Sequence, residues 1–300
     1  MGLQQMMMRL APRFVARWFA SPYSAGEQPA DALAEVDRLH TTHGICSTID
    51  LLGEYIKTRA EVDAEMKLYR ELLPQLAARP WSYPSVKLSA LGQSVDESLC
   101  RQNAEELVRT ARDINQFIAF DMEDHTTVDS TLGIYRHLRD AGYDNIGIVL
   151  QARLLRTPAD IDALKDYKPV VRLCIGIYQE PPRVAVTKKP EMKARMIEQL
   201  QQMIEHGMHP CVATHDEAVI AKARQLLIDK AVPKDRCEFQ MLLGVPRAPL
   251  QTQLVAEGWT VRLYVPYGEN WYPYSMRRLA ESPDIFGHVL RNTFSRKGRL

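Results

Sequence analysis

The sequence predicts an α/β fold of the (β/α)8, TIM-like barrel type, on three observations. Eight short apolar segments rich in β-forming residues are each followed by a segment with helical periodicity, which is typical of a parallel sheet buried on both faces. The chain has 300 residues, enough for one such barrel of about 250 residues. The main competing architecture is an open dinucleotide-binding sheet, but the first strand runs into Leu51-Leu-Gly-Glu54 instead of a GxGxxG turn.

Glycine and proline residues bound most of the predicted strands and helices. The predicted strands are residues 45–51, 84–89, 117–122, 145–151, 169–175, 210–214, 237–242 and 260–265. The predicted helices are residues 30–43, 58–78, 96–115, 127–141, a short helix from 158, then 190–206, 216–229, 249–257 and a last helix from 271. Pro266 and Gly268 are expected to end the eighth strand. Residues 1–43 should form an N-terminal helical segment packed on the barrel, which spans residues 44–300.

Composition and charge exclude several classes of function. The formal net charge is only +1, so no overall field would attract nucleic acid. The five cysteines include no CxxC pair, which predicts buried thiols in a reducing compartment and a cytoplasmic location. No run of 18 apolar residues is present, so no transmembrane helix is predicted.

The N-terminus has the pattern of an amphipathic helix. Arg9, Arg13 and Arg17 share one helical stripe, and apolar side chains share another. An arginine at every fourth residue excludes the apolar core of a signal peptide. This helix is expected to pack on its own domain; the alternative is peripheral contact with an anionic surface such as the inner membrane.

Polar side chains lie at nearly every predicted strand end, where barrel enzymes place their chemistry. These residues are Asp50, Lys87, Asp121, Glu123, Asp124, Gln151, Arg172, Thr214, His215, Gln240 and Tyr264. A lysine in the middle of Ser-Val-Lys-Leu-Ser is costly to bury alone, and we expect Asp121 to be the partner of Lys87.

The predicted last helix carries a second group of polar residues. Tyr274, Arg277, Arg278 and Glu281 recur at helical spacings of three and four, and so lie on neighbouring parts of one surface. Paired arginines beside aromatic rings favour a clamp for a carboxylate or phosphate, although a solvated surface pair is the alternative.

Common catalytic motifs are missing from the sequence. It contains no GxSxG, no HExxH and no P-loop. The two HxxH pairs, His40 with His43 and His206 with His209, fall at helix ends before strands and are interpreted as caps or surface residues.

No metal site is predicted, although Asp121, Glu123 and Asp124 keep open the alternative of a metal-dependent hydrolase or aldolase. A site with a lysine, arginines, glutamines and tyrosines but no evident nucleophile favours a bound organic cofactor.

The chain resembles the monofunctional bacterial proline dehydrogenases, flavoenzymes whose catalytic domain also occurs inside bifunctional proline utilization A. The resemblance covers essentially the whole chain and rests on an ordered set of motifs. These are Ile49-Asp-Leu-Leu-Gly-Glu54, Val86-Lys-Leu-Ser-Ala-Leu91, Asp121-Met-Glu-Asp124, Val171-Arg-Leu173, Ala213-Thr-His215, Glu238-Phe-Gln-Met-Leu242 and residues 264–281. It implies a distorted barrel, residues 44–300, that binds FAD and has its final helix over the mouth.

The resemblance also implies roles for individual residues. Those implied to bind the substrate, L-proline, are Lys87, Leu242, Tyr264, Tyr274, Arg277 and Arg278, and those implied to be catalytic are Lys87, Asp121, Tyr264, Arg277 and Arg278. Those implied to bind FAD are Met122, Gln151, Arg172, Gly176, Lys188, Thr214, His215, Gln240 and Glu281. A membrane quinone is the implied electron acceptor.

Three positions bear on substrate choice and on cofactor binding. Tyr264 favours proline over hydroxyproline, because the related hydroxyproline enzymes carry a smaller residue there. Ile175 and Ile177 replace the family's usual lysine and alanine after the fifth strand, which bears on FAD affinity and pocket size. The alternatives are therefore a flavoenzyme for another cyclic secondary amine, such as hydroxyproline or pipecolate, and a barrel that only binds a ligand.

Overall fold

A computed structural model describes residues 23–53 and 56–271 of the chain. Within these residues eight parallel strands pair in sequential order, and the eighth closes on the first to make a barrel. The predicted (β/α)8 fold is confirmed. The predicted N-terminal amphipathic helix and nearly all of the helix predicted from residue 271 lie outside the described residues.

The strands lie close to the predicted segments. They are β1 (Cys46–Leu51), β2 (Ser82–Lys87), β3 (Ile118–Asp121), β4 (Ile146–Gln151), β5 (Val170–Cys174), β6 (His209–Ala213), β7 (Glu238–Leu242) and β8 (Thr260–Tyr267). The second strand begins and ends two residues earlier than predicted, because residues Leu88–Leu91 turn as a short 3₁₀ helix.

Helices cover the outside of the barrel and alternate with the strands. They are α1 (Pro29–His43), α2 (Arg59–Leu76), α3 (Glu97–Asp113), α4 (Val128–Asp140), α5 (Thr157–Leu164), α6 (Lys189–Glu205), α7 (Glu217–Asp229) and α8 (Ala248–Ala256). The first helix precedes β1 and packs against β1 and β8. It ends at Gly44, whose φ of 66° is a left-handed conformation that glycine adopts without steric cost.

Local capping explains where several helices begin. Thr58 accepts a hydrogen bond from the backbone N–H of Glu61, and the Glu61 carboxylate accepts one from the backbone of Thr58. At the start of α3 and α7, the side chains of Asp96 and Asp216 accept hydrogen bonds from the backbone N–H groups of Leu99 and Val219.

The prediction that Pro266 ends β8 is wrong. The strand continues to Tyr267 and pairs Pro266 with Asp50 of β1. Proline has no N–H to donate, but its carbonyl oxygen here accepts from the backbone of Ala25 at 2.8 Å. The segment before α1 thereby supports the end of the last strand.

The barrel has an apolar outer layer and a partly polar interior. A continuous hydrophobic cluster joins the outward faces of the strands to the inner faces of the helices. Inside the barrel, Arg262 donates two hydrogen bonds to Glu238, at 2.8 and 2.9 Å, and its guanidinium lies 4.1 Å from the ring centre of Tyr83. Burial alone would raise the pKa of Glu238, but Arg262 and Gln240 lower it to about 2.

The structure also bears on the expectations for the cysteines and for membrane-spanning helices. All five cysteines are free thiols, and three of them are buried. Among the described residues, no helix is long and apolar enough to cross a membrane.

We expect the Arg262→Met substitution to destabilise the fold by about 3–5 kcal/mol, because it leaves the Glu238 carboxylate buried without its cation. Chemical denaturation measures this loss. Adding Glu238→Gln should restore part of this loss of stability. By contrast Arg59→Met, which breaks the exposed pair with Asp63, should cost less than about 1 kcal/mol. An Arg262→Met protein as stable as the wild type would contradict the assignment.

Candidate active site

A buried lysine and aspartate pair at the carboxyl end of the barrel. Lys87 ends β2, and its Nζ atom donates to Oδ1 of Asp50, on β1, at 2.5 Å. The Asp50 side chain is 1% exposed and that of Lys87 is 12% exposed, so the ammonium group is enclosed but still reachable. The prediction that Asp121 pairs directly with Lys87 is therefore wrong, because Asp50 occupies that place.

Asp121 instead lies at the centre of its own set of hydrogen bonds. Its Oδ1 accepts from Arg172 at 2.5 Å and from Ser85 at 2.7 Å. Its Oδ2 accepts from the Tyr264 hydroxyl at 2.6 Å. Arg172 also lies 5.1 Å from the ring centre of Tyr264. Four strands, β2, β3, β5 and β8, thus orient the tyrosine ring at one place.

The polar contacts continue toward the amino-terminal end of the barrel. Arg172 donates through Nε to the Gln240 side-chain oxygen at 2.7 Å. The amide nitrogen of Gln240 donates to Glu238 at 2.9 Å, and Glu238 pairs with Arg262. A connected series of charged and amide groups therefore runs along the interior from the mouth to the opposite end.

The charges at the mouth shift one another's pKa values. Burial would lower the pKa of Lys87, but Asp50 and Asp121 reverse this and hold it above its usual value. Burial would raise the pKa of Asp121, but Arg172 and Lys87 hold it below its usual value. Lys87 is therefore an ammonium and Asp121 a carboxylate at neutral pH.

The predicted cofactor residues of β4 and β5 contain polar atoms without a partner in the described part of the chain. Gln151 donates to the backbone oxygen of Glu123 at 2.6 Å, while its own Oε1 is buried and accepts from no described residue. Nη2 of Arg172 is likewise buried without an acceptor among residues 23–53 and 56–271. Gly176, with a φ of 100°, lies against Gln151, and a Cβ there would collide with that Oε1. A ligand with both donors and acceptors fits these groups.

The remaining predicted cofactor residues are spread along the same end of the barrel. Met122 directly follows β3 and is buried in the core. Thr214 follows β6, and its hydroxyl accepts from the backbone of Asp216 at 3.2 Å. His215 accepts through Nε2 from the backbone of Leu242 at 3.3 Å. Lys188 is exposed at the start of α6, where the helix dipole also favours an anion.

Four predicted substrate and cofactor residues belong to the last predicted helix. Tyr274, Arg277, Arg278 and Glu281 lie outside the described residues. Leu242 is half-buried at the end of β7, beside Tyr23 and Val245.

The three carboxylates considered for a metal do not converge. Asp121 accepts from Arg172, Glu123 from Ser89 at 2.9 Å, and Asp124 from the backbone of Thr126 at 2.8 Å. In the described part of the chain, no group of three histidine, cysteine or acidic side chains is arranged to hold a metal ion.

Three of the four histidines of the HxxH pairs contact separate groups. His40 stacks on Trp81 at 4.1 Å, and His206 contacts Asp162 at 2.7 Å. His43 contacts Arg38 at 3.5 Å, and His209 begins β6.

Sequence reasoning missed three partners that the structure reveals. Ser85 lies two residues before Lys87, and the alternation of a strand could have placed both inside the barrel. The sequence predicts that Asp50 lies at a strand end, but it gives no sign that Asp50 is the partner of Lys87. The contact of His125 with Glu180 at 2.5 Å joins the loops after β3 and β5, and no sequence signal pointed to it.

The chain forms a closed (β/α)8 barrel. At the carboxyl ends of its strands, an enclosed lysine is paired with one aspartate and a tyrosine is oriented by another. This is the architecture of a barrel enzyme. The proline dehydrogenase family profile matches residues 32–177 and 181–289. The chain belongs to the proline dehydrogenase family.

Individual relatives agree with this assignment. The chain is 39% identical to a proline dehydrogenase of Deinococcus radiodurans, an alignment that covers 93% of this chain and 88% of that protein. It is 33% identical to proline dehydrogenase 1 of Bacillus subtilis, covering 95% of this chain and 94% of that protein.

A solved structure shares the fold. Proline utilization A from Bdellovibrio bacteriovorus, inactivated by N-propargylglycine, superposes with a TM-score of 0.82 at 24% identity. The match covers 92% of this chain but 34% of that protein, so this chain spans about a third of its length.

We expect Gly176→Ala to destabilise the protein more than Gly142→Ala does. Both glycines have positive φ, so both substitutions carry the backbone cost of about 1–2 kcal/mol. Only at position 176 does the added Cβ also collide with a side chain, that of Gln151, whereas position 142 is open. Thermal unfolding of the two variants measures the difference, and equal losses would show that Gln151 moves away freely.

Proposed function

We propose that this chain oxidises L-proline to Δ1-pyrroline-5-carboxylate, the first step of proline catabolism, with FAD as cofactor. The observation that carries this proposal is the enclosed Lys87 ammonium at the barrel mouth, beside an oriented Tyr264, in a chain that matches the proline dehydrogenase family along most of its length.

Lys87 is suited to hold the acid group of the substrate. An ammonium group has three N–H donors, and among the described residues the bonded acceptor of Lys87 is Asp50. The remaining donors are available for a carboxylate. Asp50 balances the charge of the lysine and restricts its position, so the ammonium is already placed before substrate arrives.

Tyr264 is suited to pack against the ring of the substrate. Its hydroxyl is held by Asp121, and its ring lies beside the Arg172 guanidinium, so the aromatic face keeps one orientation. Leu242, half-buried at the end of the neighbouring strand β7, supports the same site as an apolar floor. Arg277, Arg278 and Tyr274 complete the site in this proposal, on the sequence pattern and family membership.

The residues implied to bind FAD fit a ligand rich in donors and acceptors. Oε1 of Gln151 and Nη2 of Arg172, which have no partner among the described residues, offer one acceptor and one donor. Lys188 at the start of α6 offers a cation for a phosphate. Met122, Gly176, Thr214, His215, Gln240 and Glu281 are the other residues proposed for this site. Bound FAD supplies the hydride acceptor.

The protein's own contribution to catalysis is then mainly positioning. Loss of hydride from the ring carbon next to nitrogen leaves an iminium, so the substrate amine must be neutral. Holding the carboxylate at one end and the ring face at Tyr264 restricts which carbon is presented. Positioning of this kind lowers barriers by up to about 7–11 kcal/mol, without any nucleophile.

A second candidate substrate is another cyclic secondary amine. Ile177 replaces a small residue of the family and is half-buried beside Gly176, which changes the shape of the pocket that a ring would enter. Hydroxyproline and pipecolate are the substrates to compare with proline.

We also propose that the electrons pass to a membrane quinone, and that the basic amphipathic N-terminus makes peripheral contact with the inner membrane of an otherwise cytoplasmic protein. The support is the spacing of Arg9, Arg13 and Arg17.

The most informative test is an anaerobic visible spectrum of the purified protein. Proline should bleach the flavin absorbance, and hydroxyproline and pipecolate should bleach it more slowly at equal concentration. The Arg277→Met variant should need at least about tenfold more proline, because the substrate carboxylate loses a charged hydrogen bond worth about 1.5–3 kcal/mol. A colourless protein, or a flavin spectrum unchanged by proline, would refute the proposed function.

Deleting residues 1–20 should weaken binding to vesicles of anionic lipid while leaving dye-linked proline oxidation unchanged, since the deleted arginines supply the electrostatic attraction. Sedimentation with vesicles measures the binding. Equal sedimentation of the full-length and shortened proteins would exclude the N-terminus as the membrane contact.

A further inference from the structure

Glu65 is a carboxyl group beside the active site that the proposed mechanism does not use. It lies on α2, against Gly53 of the loop after β1, where a Cβ on residue 53 would collide with its carboxyl group. The residue is half-buried, and its Oε2 atom is shielded from solvent without a hydrogen-bond partner among the described residues.

Titratable groups of four elements interact electrostatically with Glu65 or lie on its own helix. Asp50 of β1 and Lys87 of β2 act on it electrostatically, and it acts in turn on Tyr69 of α2 and Tyr267 of β8. Oδ2 of Asp50 and the hydroxyl of Tyr267 are also buried without a partner in the described part of the chain. Three unsatisfied polar atoms in one coupled group indicate a place where a proton or a water is held.

In the described part of the chain, Glu65 forms no ion pair. At the mouth, Lys87 pairs with Asp50 and Arg172 pairs with Asp121. The carboxylate of an ionised Glu65 would therefore have no paired cation among the described residues. Burial, with Asp50 adding to it and Lys87 opposing it, raises the pKa of Glu65 to about 7.

We propose that Glu65 is a positioning residue whose proton decides how strongly Lys87 holds the carboxylate of the substrate. With the proton in place, Lys87 interacts with Asp50 and remains available to an incoming carboxylate. Without it, the Glu65 carboxylate attracts the same ammonium and repels the incoming anion. The inference rests on the proposed function, since it assumes that Lys87 binds the acid group.

The test compares the wild type with Glu65→Gln, which keeps the shape of the side chain but cannot ionise. Glu71→Gln, an exposed glutamate on the same helix, is the matched control. Calorimetry measures the affinity of the FAD-loaded proteins for cyclopentanecarboxylate, at about pH 6 and about pH 8.5. This probe has no amine and stays ionised over that range, so its own titration does not contribute.

In the wild type and in Glu71→Gln, the dissociation constant should rise by about three- to tenfold between the lower and the higher pH, as expected for one added charge nearby. In Glu65→Gln it should change by less than about twofold. A Glu65→Gln protein that keeps the wild-type pH dependence would overturn the proposal, as would a wild type whose affinity does not change with pH.

Thermal unfolding provides a readout that is independent of substrate. Since the pKa of Glu65 is raised in the folded state, its contribution to wild-type stability should fall as pH rises from about 4.5 to about 7 and then level off. The melting temperature of Glu65→Gln relative to wild type should therefore increase over that range by a few degrees. A constant difference would overturn the proposal.

The two hypotheses fail separately. If proline fails to bleach the flavin while the unfolding difference still titrates, the proposed function is wrong and the proton site on Glu65 stands. If proline oxidation is present but neither affinity nor stability depends on Glu65, only the present inference is wrong.

Discussion

The ion pair between Asp121 and Arg172 is the interaction on which the interior of this barrel depends. Both side chains are about nine-tenths buried, and the oxygen and nitrogen atoms are 2.5 Å apart. A charge buried in this way is tolerated only when it is paired and hydrogen-bonded. Ser85 and Tyr264 complete the shell of Asp121, and Gln240 occupies Nε of Arg172.

The pair determines what the mouth of the barrel can do. Because Arg172 neutralises Asp121, Lys87 is left to Asp50 and stays reachable at its enclosed position. Because Asp121 also accepts from Tyr264, the same carboxylate fixes the aromatic wall. The buried cation of Arg172 therefore leaves the Lys87 ammonium available to a ligand. Through Asp121, Arg172 also helps to orient the ring of Tyr264.

The positions of many site residues were predictable, because the local sequence indicates where strands end and which of their side chains face inward. Lys87, Asp121, Gln151 and Tyr264 were all placed at the barrel mouth from these patterns, and the structure places them there. The pairings were not predictable. The sequence predicts Asp121 as the partner of Lys87, whereas the structure pairs Lys87 with Asp50, because Arg172, Ser85 and Tyr264 already donate to both oxygens of Asp121.

Local sequence determined the elements: the alternation of short strands and helices, the stop of α1 at Gly44, and the polar residues that face inward. These depend on backbone preferences and on a periodicity that extends over a few residues. Tertiary structure decided which charges meet, how the eighth strand continues past Pro266, and which polar atoms of Gln151 and Arg172 find no partner among the described residues. Those outcomes depend on strand register and barrel closure, which join residues far apart in the chain and so leave no local pattern.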